Sequence, residues 1–182
     1  NTRDGQRHYI YLVVDNFSRK IISWAISIRL CADIRLKTFI DAFDTAKHSF
    51  FNNDEINLIV DGGSENNNKT VDAFISSLSE IQLKKEIALK TVAFSNSMAE
   101  ATNKVIKNDY LGLHTIPHSK ILKITLENVI TNFNNNRPHD QLKGLTPTEC
   151  YAGIKVNDDA ISLQKQEARQ KRIEENKNRF CC

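Results

Sequence analysis

The stretch LIVDGGSENNN, Leu58 to Asn68, sets a carboxylate, Asp61, at the end of an apolar run and follows it with two glycines, Ser64 and Glu65. The same residues make an ordinary exit from a strand, because Asp, Gly, Ser and Asn are what turns use. A second carboxylate at a suitable place would give the corner a chemical purpose. Glu100 is the candidate. SNSMAEATNKVIKNDYL reads as a helix capped by Ser95 or Asn96, with Met98, Val105 and Ile106 on its apolar side and Glu100 near its start. Such a helix can lie across a sheet with its first turns facing the strand ends, the edge where open α/β sheets place ligands. Two carboxylates converging there suit Mg²⁺ or Mn²⁺, hard cations that take one or two protein carboxylates and keep positions for water and a substrate phosphate.

Asn103, Lys104 and Lys107 follow Glu100 at i+3, i+4 and i+7, so regular helical spacing places all four on one face. Lysines bind phosphate as point charges and add salt-dependent, sequence-independent affinity for nucleic acid. A solvated lysine face is the plainer reading. Gly62 and Gly63 let a phosphate backbone approach the end of the strand, and Ser64 can donate a hydrogen bond beside it.

The elements that must position these groups follow from pattern. His8 to Ile28 holds two runs rich in Ile, Val, Tyr and Trp around a polar gap, Asp15 to Lys20, which predicts a hairpin with Trp24 in the core. Apolar residues from Ile34 to Ala46 recur at three- and four-residue steps, which predicts a helix from Asp33, as N-cap, to about Phe51. EINLIVD reads as a short buried strand. Val71, Phe74, Ile75 and Leu78 resume helical spacing, and IQLKKEIAL carries a further strand. A helix from Ser119 to about Phe133 ends at the asparagine run and Pro138. TPTECYAG has the signature of a short capped helix: Thr146, Pro147 at its first position, Glu149 three residues on, and Gly153 as its stop. Residues 160–179 form a charged helical tail with a thin apolar stripe. The mixed order predicts an α/β layered domain over residues 1–153, with 154–182 as tail.

The bulk numbers agree with one medium domain. The 182 residues carry a net charge of +3, which permits contact with nucleic acid without demanding it. Cys31, Cys150, Cys181 and Cys182 form no C-x-x-C pair and have no histidines at zinc spacing, so a reduced, intracellular protein without structural zinc is the default. No apolar run approaches the roughly 18 residues that cross a bilayer, and the expectation is a cytoplasmic protein, nucleoid-associated in action, with no membrane partner.

VVDNFSRKIISW, VDGGSE, SNSMAEATNKVIK and NNRPHDQLKGLTPTECY stand in an order that resembles the catalytic core shared by retroviral integrases and bacterial insertion-sequence transposases, from about His8 to Tyr151. The resemblance implies a ribonuclease-H-like fold, a five-stranded mixed sheet flanked by helices. It also implies two aspartates and a glutamate holding two divalent metals, Mg²⁺ or Mn²⁺. By motif, Asp61 matches the second aspartate and Glu100 the glutamate. Two metals about 3.5–4 Å apart activate the attacking oxygen and stabilise the leaving one in displacement at phosphorus. Water as nucleophile cuts DNA; a freed 3′-hydroxyl joins that end to a target strand. The helix face of Lys104 and Lys107 matches the one that contacts the element's DNA end, and two ends handled together imply a homodimer or higher oligomer.

One departure concerns the first aspartate, which the family carries in a D-x-T motif upstream of the segment matching YLVVDNFSR and therefore ahead of Asn1. Asp15 is the substitute within the chain, although its place before F-S-R also suits holding the turn through local hydrogen bonds. Asp4, followed by Gly5, reads as a turn residue. Arg137, Pro138 and His139 match an R-P-H segment whose role is structural. Two other readings stay open: a ribonuclease-H-like nuclease that cuts without joining, and a DNA-binding or assembly module without catalysis.

Overall fold

Two runs dense in β-branched and aromatic residues open the fold. In the computed structural model of the chain they pair as an antiparallel hairpin, β1 (Tyr9–Val14) and β2 (Ile21–Ser27), with Tyr9 opposite Ser27 and Leu12 opposite Trp24. The structure describes residues 2–47, 55–66, 68–78, 82–88 and 97–179. After the hairpin come α1 (Ala32–Ala46), β3 (Glu55–Val60), α2 (Lys69–Ser77) and β4 (Gln82–Ile87). β4 runs parallel to β3, which is possible because α2 provides the crossover. Then follow α3 (Ser97–Lys104), α4 (Ser119–Asn135), α5 (Pro147–Tyr151) and α6 (Asp158–Arg179).

β1 feeds two cores because successive side chains leave a strand on opposite faces. Ile10, Leu12, Val14 and Trp24 pack against Ile21, Ile106, Leu126 and Phe133, beneath α4. Val13 points the other way, to Phe39 of α1, Val60 of β3 and Val71 of α2. Helices therefore cover both faces of β1, the layered α/β arrangement that the element order predicts.

The single five-stranded sheet expected from the resemblance is not what the described residues form. They make two separate two-stranded sheets, β1 with β2 and β3 with β4, and no ladder joins β1 to β3. β3 was expected to be buried, yet it alternates exposed and partly covered positions and only Val60 is buried; among the described residues β4 is its one hydrogen-bonded neighbour. Asp33 lies inside the first turn of α1, where a carboxylate suits the helix dipole, and Cys31 is the N-cap. α5 has the full capping box: Thr146 Oγ1 accepts the Glu149 N–H at 3.3 Å, and the Glu149 carboxylate accepts the Thr146 N–H at 2.8 Å. Gly153, at φ 78°, turns the chain away in a conformation that glycine adopts without strain. Ser95 and Asn96, expected to cap α3, lie outside the described residues, as does the expected continuation of α1 to Phe51.

Candidate functional site

The turn leaving β3 is wound around the carboxylate of Asp61. Its Oδ1 accepts the Gly63 N–H at 3.1 Å and also the side-chain amide of Asn66, which is 1% exposed. The Asn66 N–H closes the turn on the Gly63 carbonyl at 3.0 Å. Asn68 continues the scaffold as N-cap of α2, its Oδ1 accepting from Thr70 and Val71 and its amide donating to the Ser64 and Glu65 carbonyls. Asp61 itself stays exposed, fixed by neighbours and open to solvent. Asn66 and Asn68 were missed as functional supports. Their signal was the asparagine run just before helical spacing resumes, the position where an N-cap belongs.

Asp61 opens onto a cleft of about 870 Å³ between β1 and β3. Its walls include Leu12, Val13 and Val14 of β1, Ile56 to Val60 of β3, and Ser97, Met98 and Asn103 of α3. Three residues singled out in the sequence, Asp61, Asp15 and Asn103, thus share one cleft. Glu100 lies exposed on α3 between the lining residues Ala99 and Asn103. Among the described residues no three His, Cys, Asp or Glu side chains come together as a metal-binding group. Asp61 and Glu100 are both exposed carboxylates, hard oxygen donors of the kind Mg²⁺ or Mn²⁺ accepts one or two of, and Glu100 itself is not among the residues lining the cleft.

Arg35, on α1, lines the cleft together with Arg19, and nothing in the helix pattern marked it out. Its guanidinium lies 4.6 Å from the Tyr11 ring centre and 5.5 Å from that of Phe39. Burial lowers its pKa, against the opposing pull of the Asp61 and Glu65 carboxylates.

Asp15 is engaged locally. One carboxylate oxygen accepts the Ser18 N–H at 2.7 Å and its hydroxyl at 2.5 Å, while the backbone pairs with Arg19 and Lys20, each at 2.8 Å. Arg19 adopts φ 67° to complete this turn. The local bonds foreseen for Asp15 are therefore present.

The α-helical step on which a common face was drawn ends at Lys104, because Val105–Tyr110 widens into a π-helical turn. Lys104 is exposed at the end of α3, and Lys107 lines a second hollow of about 400 Å³ with Thr2, His8 and His114. Ser64 is exposed within the Asp61 turn. The R-P-H segment braces the π-helical stretch: Arg137 pairs with Asp109 at 3.7 Å and lies over Tyr110, and His139 packs edge-on against Phe133 at 5.0 Å.

No family model matches the chain. It is 24% identical over 149 residues to an uncharacterized protein of insertion element IS136 from Agrobacterium fabrum (strain C58 / ATCC 33970), covering 80% of this chain and 74% of that protein. Among solved structures, the magnesium-bound HTLV-2 integrase catalytic core domain superposes with a TM-score of 0.59 at 16% identity, covering 82% of this chain and 88% of that one. A chain of the simian T-cell lymphotropic virus intasome, in complex with PP2A regulatory subunit B56 gamma, gives 0.62 at 14% identity over 78% of this chain. The present chain spans 47% of the length of that intasome chain. The fold is thus the ribonuclease-H-like α/β fold of integrase catalytic cores, and the resemblance drawn from the motifs to integrase and transposase cores is borne out. No helix among the described residues is long and apolar enough to cross a membrane.

Proposed function

We propose that this chain is the catalytic core of a mobile-element transposase or integrase that cleaves DNA strands and transfers a 3′-hydroxyl end to target DNA, with Mg²⁺ or Mn²⁺ as cofactor. The observation that carries the reading is the placement of Asp61 on a cleft whose wall includes the turn of α3 bearing Glu100. Asp61 and Glu100 would hold the metal, whose chemistry is to polarise the scissile phosphate and activate the attacking oxygen. The protein's share is positional. Gly63 and Asn66 fix the Asp61 carboxylate, α3 brings Glu100, and Asn103, Lys104, Lys107 and Ser64 bind the phosphate backbone. Within this chain Asp15 is the candidate for the first aspartate of the family's trio, and its carboxylate also holds its own turn. Residues 1–153 form the core and 154–182 a tail, and the working complex is a homodimer or higher oligomer acting on element ends and target DNA.

Asp61→Ala and Glu100→Ala in the complete protein test this reading with an oligonucleotide bearing a free 3′ end and Mn²⁺. Both variants should keep the fold and lose the longer, branched product. Joining by either variant would remove that residue from the site. Wild-type product containing only shortened strands would favour a nuclease. A non-catalytic DNA-binding module is the second reading. Titration calorimetry with Mn²⁺ on the complete protein separates it, since that reading predicts no heat above background.

A further inference from the structure

The turn between β1 and β2 carries an aromatic ring into solvent. Phe17 is 77% exposed, and among the described residues it is the one aromatic side chain that is mostly exposed. A lone apolar side chain on a surface needs no explanation by itself. Three features of its surroundings set Phe17 apart.

The turn beneath it is closed by hydrogen bonds. The Asp15 carboxylate accepts the Ser18 N–H and hydroxyl, the Arg19 N–H reaches the Asp15 carbonyl, and the Asp15 N–H reaches the Lys20 carbonyl. Ser18 is 0% exposed. The backbone on both sides of Phe17 is thus fixed while its ring projects, so little freedom is left to lose when a ligand settles on it. The turn is also cationic. Arg19 donates from Nη1 to the Asn16 carbonyl at 2.7 Å and from Nη2 to Gln141 Oε1 at 3.0 Å, two of the five donors that a guanidinium carries. Among the described residues its Nε finds no acceptor. Lys20 follows, 4.3 Å from the centre of the Tyr151 ring, while the carboxylate of Asp15 is turned onto Ser18. Finally, Asn16, Phe17 and Arg19 line the same cleft as Asp61.

An aromatic face with cations beside it takes a nucleotide in two parts, the base on the ring and the phosphate on the cation. A protein partner would meet little else that is apolar here, because the other residues of the turn are Asp15, Asn16, Ser18, Arg19 and Lys20. Bases inside a duplex are already stacked, so the ring suits an unpaired one. We propose that Phe17 is a stacking platform for an unpaired base of the DNA strand lying along the cleft, with Arg19 beside it for the adjoining phosphate. This role rests on the DNA-processing reading above and adds to it a residue that touches a base.

The test titrates the 182-residue chain, without metal, into a fluorescent oligothymidylate, a strand of the same length made of abasic sites, and a blunt duplex, with anisotropy as the readout. One stacked base adds about 5- to 150-fold in affinity, so Phe17→Ala should weaken oligothymidylate binding by such a factor. Phe17→Trp should retain it, Phe17→Leu should behave as Phe17→Ala, and all four proteins should bind the abasic strand alike. Wild-type affinity of Phe17→Ala for oligothymidylate would overturn the proposal, as would an equal loss on the abasic strand or wild-type binding by Phe17→Leu. So would a wild-type dimer in sedimentation that Phe17→Ala dissolves, because the ring would then belong to an interface between copies. Equal urea midpoints verify that the variants fold. Duplex binding with no effect of Phe17→Ala on the single strand sinks the stacking role alone, whereas absence of strand joining by the complete protein sinks the proposed activity and leaves the stacking result standing.

Discussion

The buried side-chain amide of Asn66 donates to the carboxylate of Asp61, five residues back across the turn that leaves β3. The bond ties the orientation of the proposed metal ligand to the integrity of that turn. A hydrogen bond to a charged acceptor contributes about 1.5–3 kcal/mol. Asn66→Ala should therefore lower the urea midpoint by an equivalent amount with an unchanged slope, and should weaken Mn²⁺ binding in the complete protein. An Asn66→Ala protein with wild-type stability and wild-type Mn²⁺ affinity would show that Asp61 is positioned without it.

A second asparagine ties two layers together. Asn134, buried on α4, accepts the Ile21 N–H and donates to the Ile21 carbonyl, both at 2.9 Å, and so serves the start of β2 as a substitute for backbone. Asn134→Leu orphans both groups, at about 1–3 kcal/mol each. Asn134→Asp keeps an acceptor for the N–H but, when ionised, faces the Ile21 carbonyl with a second acceptor, so it should recover stability relative to Asn134→Leu only as the pH is lowered and the carboxyl protonates to donate there. Equilibrium urea unfolding across that pH range ranks the three proteins, and equal loss in both variants throughout would point to side-chain volume rather than hydrogen bonding.

These two asparagines mark the limit of what the sequence disclosed. Periodicity located the hairpin, the helices and the capped α5, because those patterns are local. The placement of Asp61 at a strand exit was legible for the same reason. Asn134 was invisible, since its partner lies 113 positions away and an asparagine near a helix end reads as a stop signal. Arg35 likewise owes its role to Tyr11 and Asp61, which no local pattern connects. The helical spacing assumed from Glu100 to Lys107 holds as α-helix only to Lys104, because a π-helical turn begins at Val105 and changes the 3.6-residue step beyond it.

Glu149 gives the fold an acid-sensitive point. The Thr146 N–H and hydroxyl bind its charged form and hold the carboxyl below its ordinary value of 4.5. A depressed folded pKa means that this stabilisation is fully present above 4.5 and is lost as pH falls through the lowered value. Glu149→Gln keeps a capping-box side chain but does not titrate. The stability gap between wild type and Glu149→Gln should be constant above that window and close below it; a gap independent of pH would refute the assignment.

His139 acts in a higher window. Burial first, then the nearby Arg137 and Arg19, hold its pKa below 6.5, so the folded chain favours the neutral ring packed on Phe133. The unfolded state takes up the proton first as pH falls. Stability linked to His139 is therefore complete above 6.5 and declines as pH drops from 6.5 through the lowered folded value. His139→Phe keeps an aromatic ring against Phe133 and should flatten thermal stability across that range. Wild type and variant with parallel profiles there would place the titration elsewhere.

Lys104 separates a phosphate contact from a solvated lysine. It is exposed at the C-terminal end of the helix bearing Glu100, one residue before the π-helical turn redirects the chain. A lysine that neutralises one DNA phosphate releases about one counterion, so Lys104→Ala should reduce the slope of log affinity against log salt by about 1. The loss should be uniform across DNA sequences, because phosphate contacts carry no base information. Fluorescence anisotropy over a salt series with two unrelated duplexes measures both quantities. A variant that lowers affinity on only one duplex would make Lys104 a base reader instead, and an unchanged slope would return it to the solvent-facing surface.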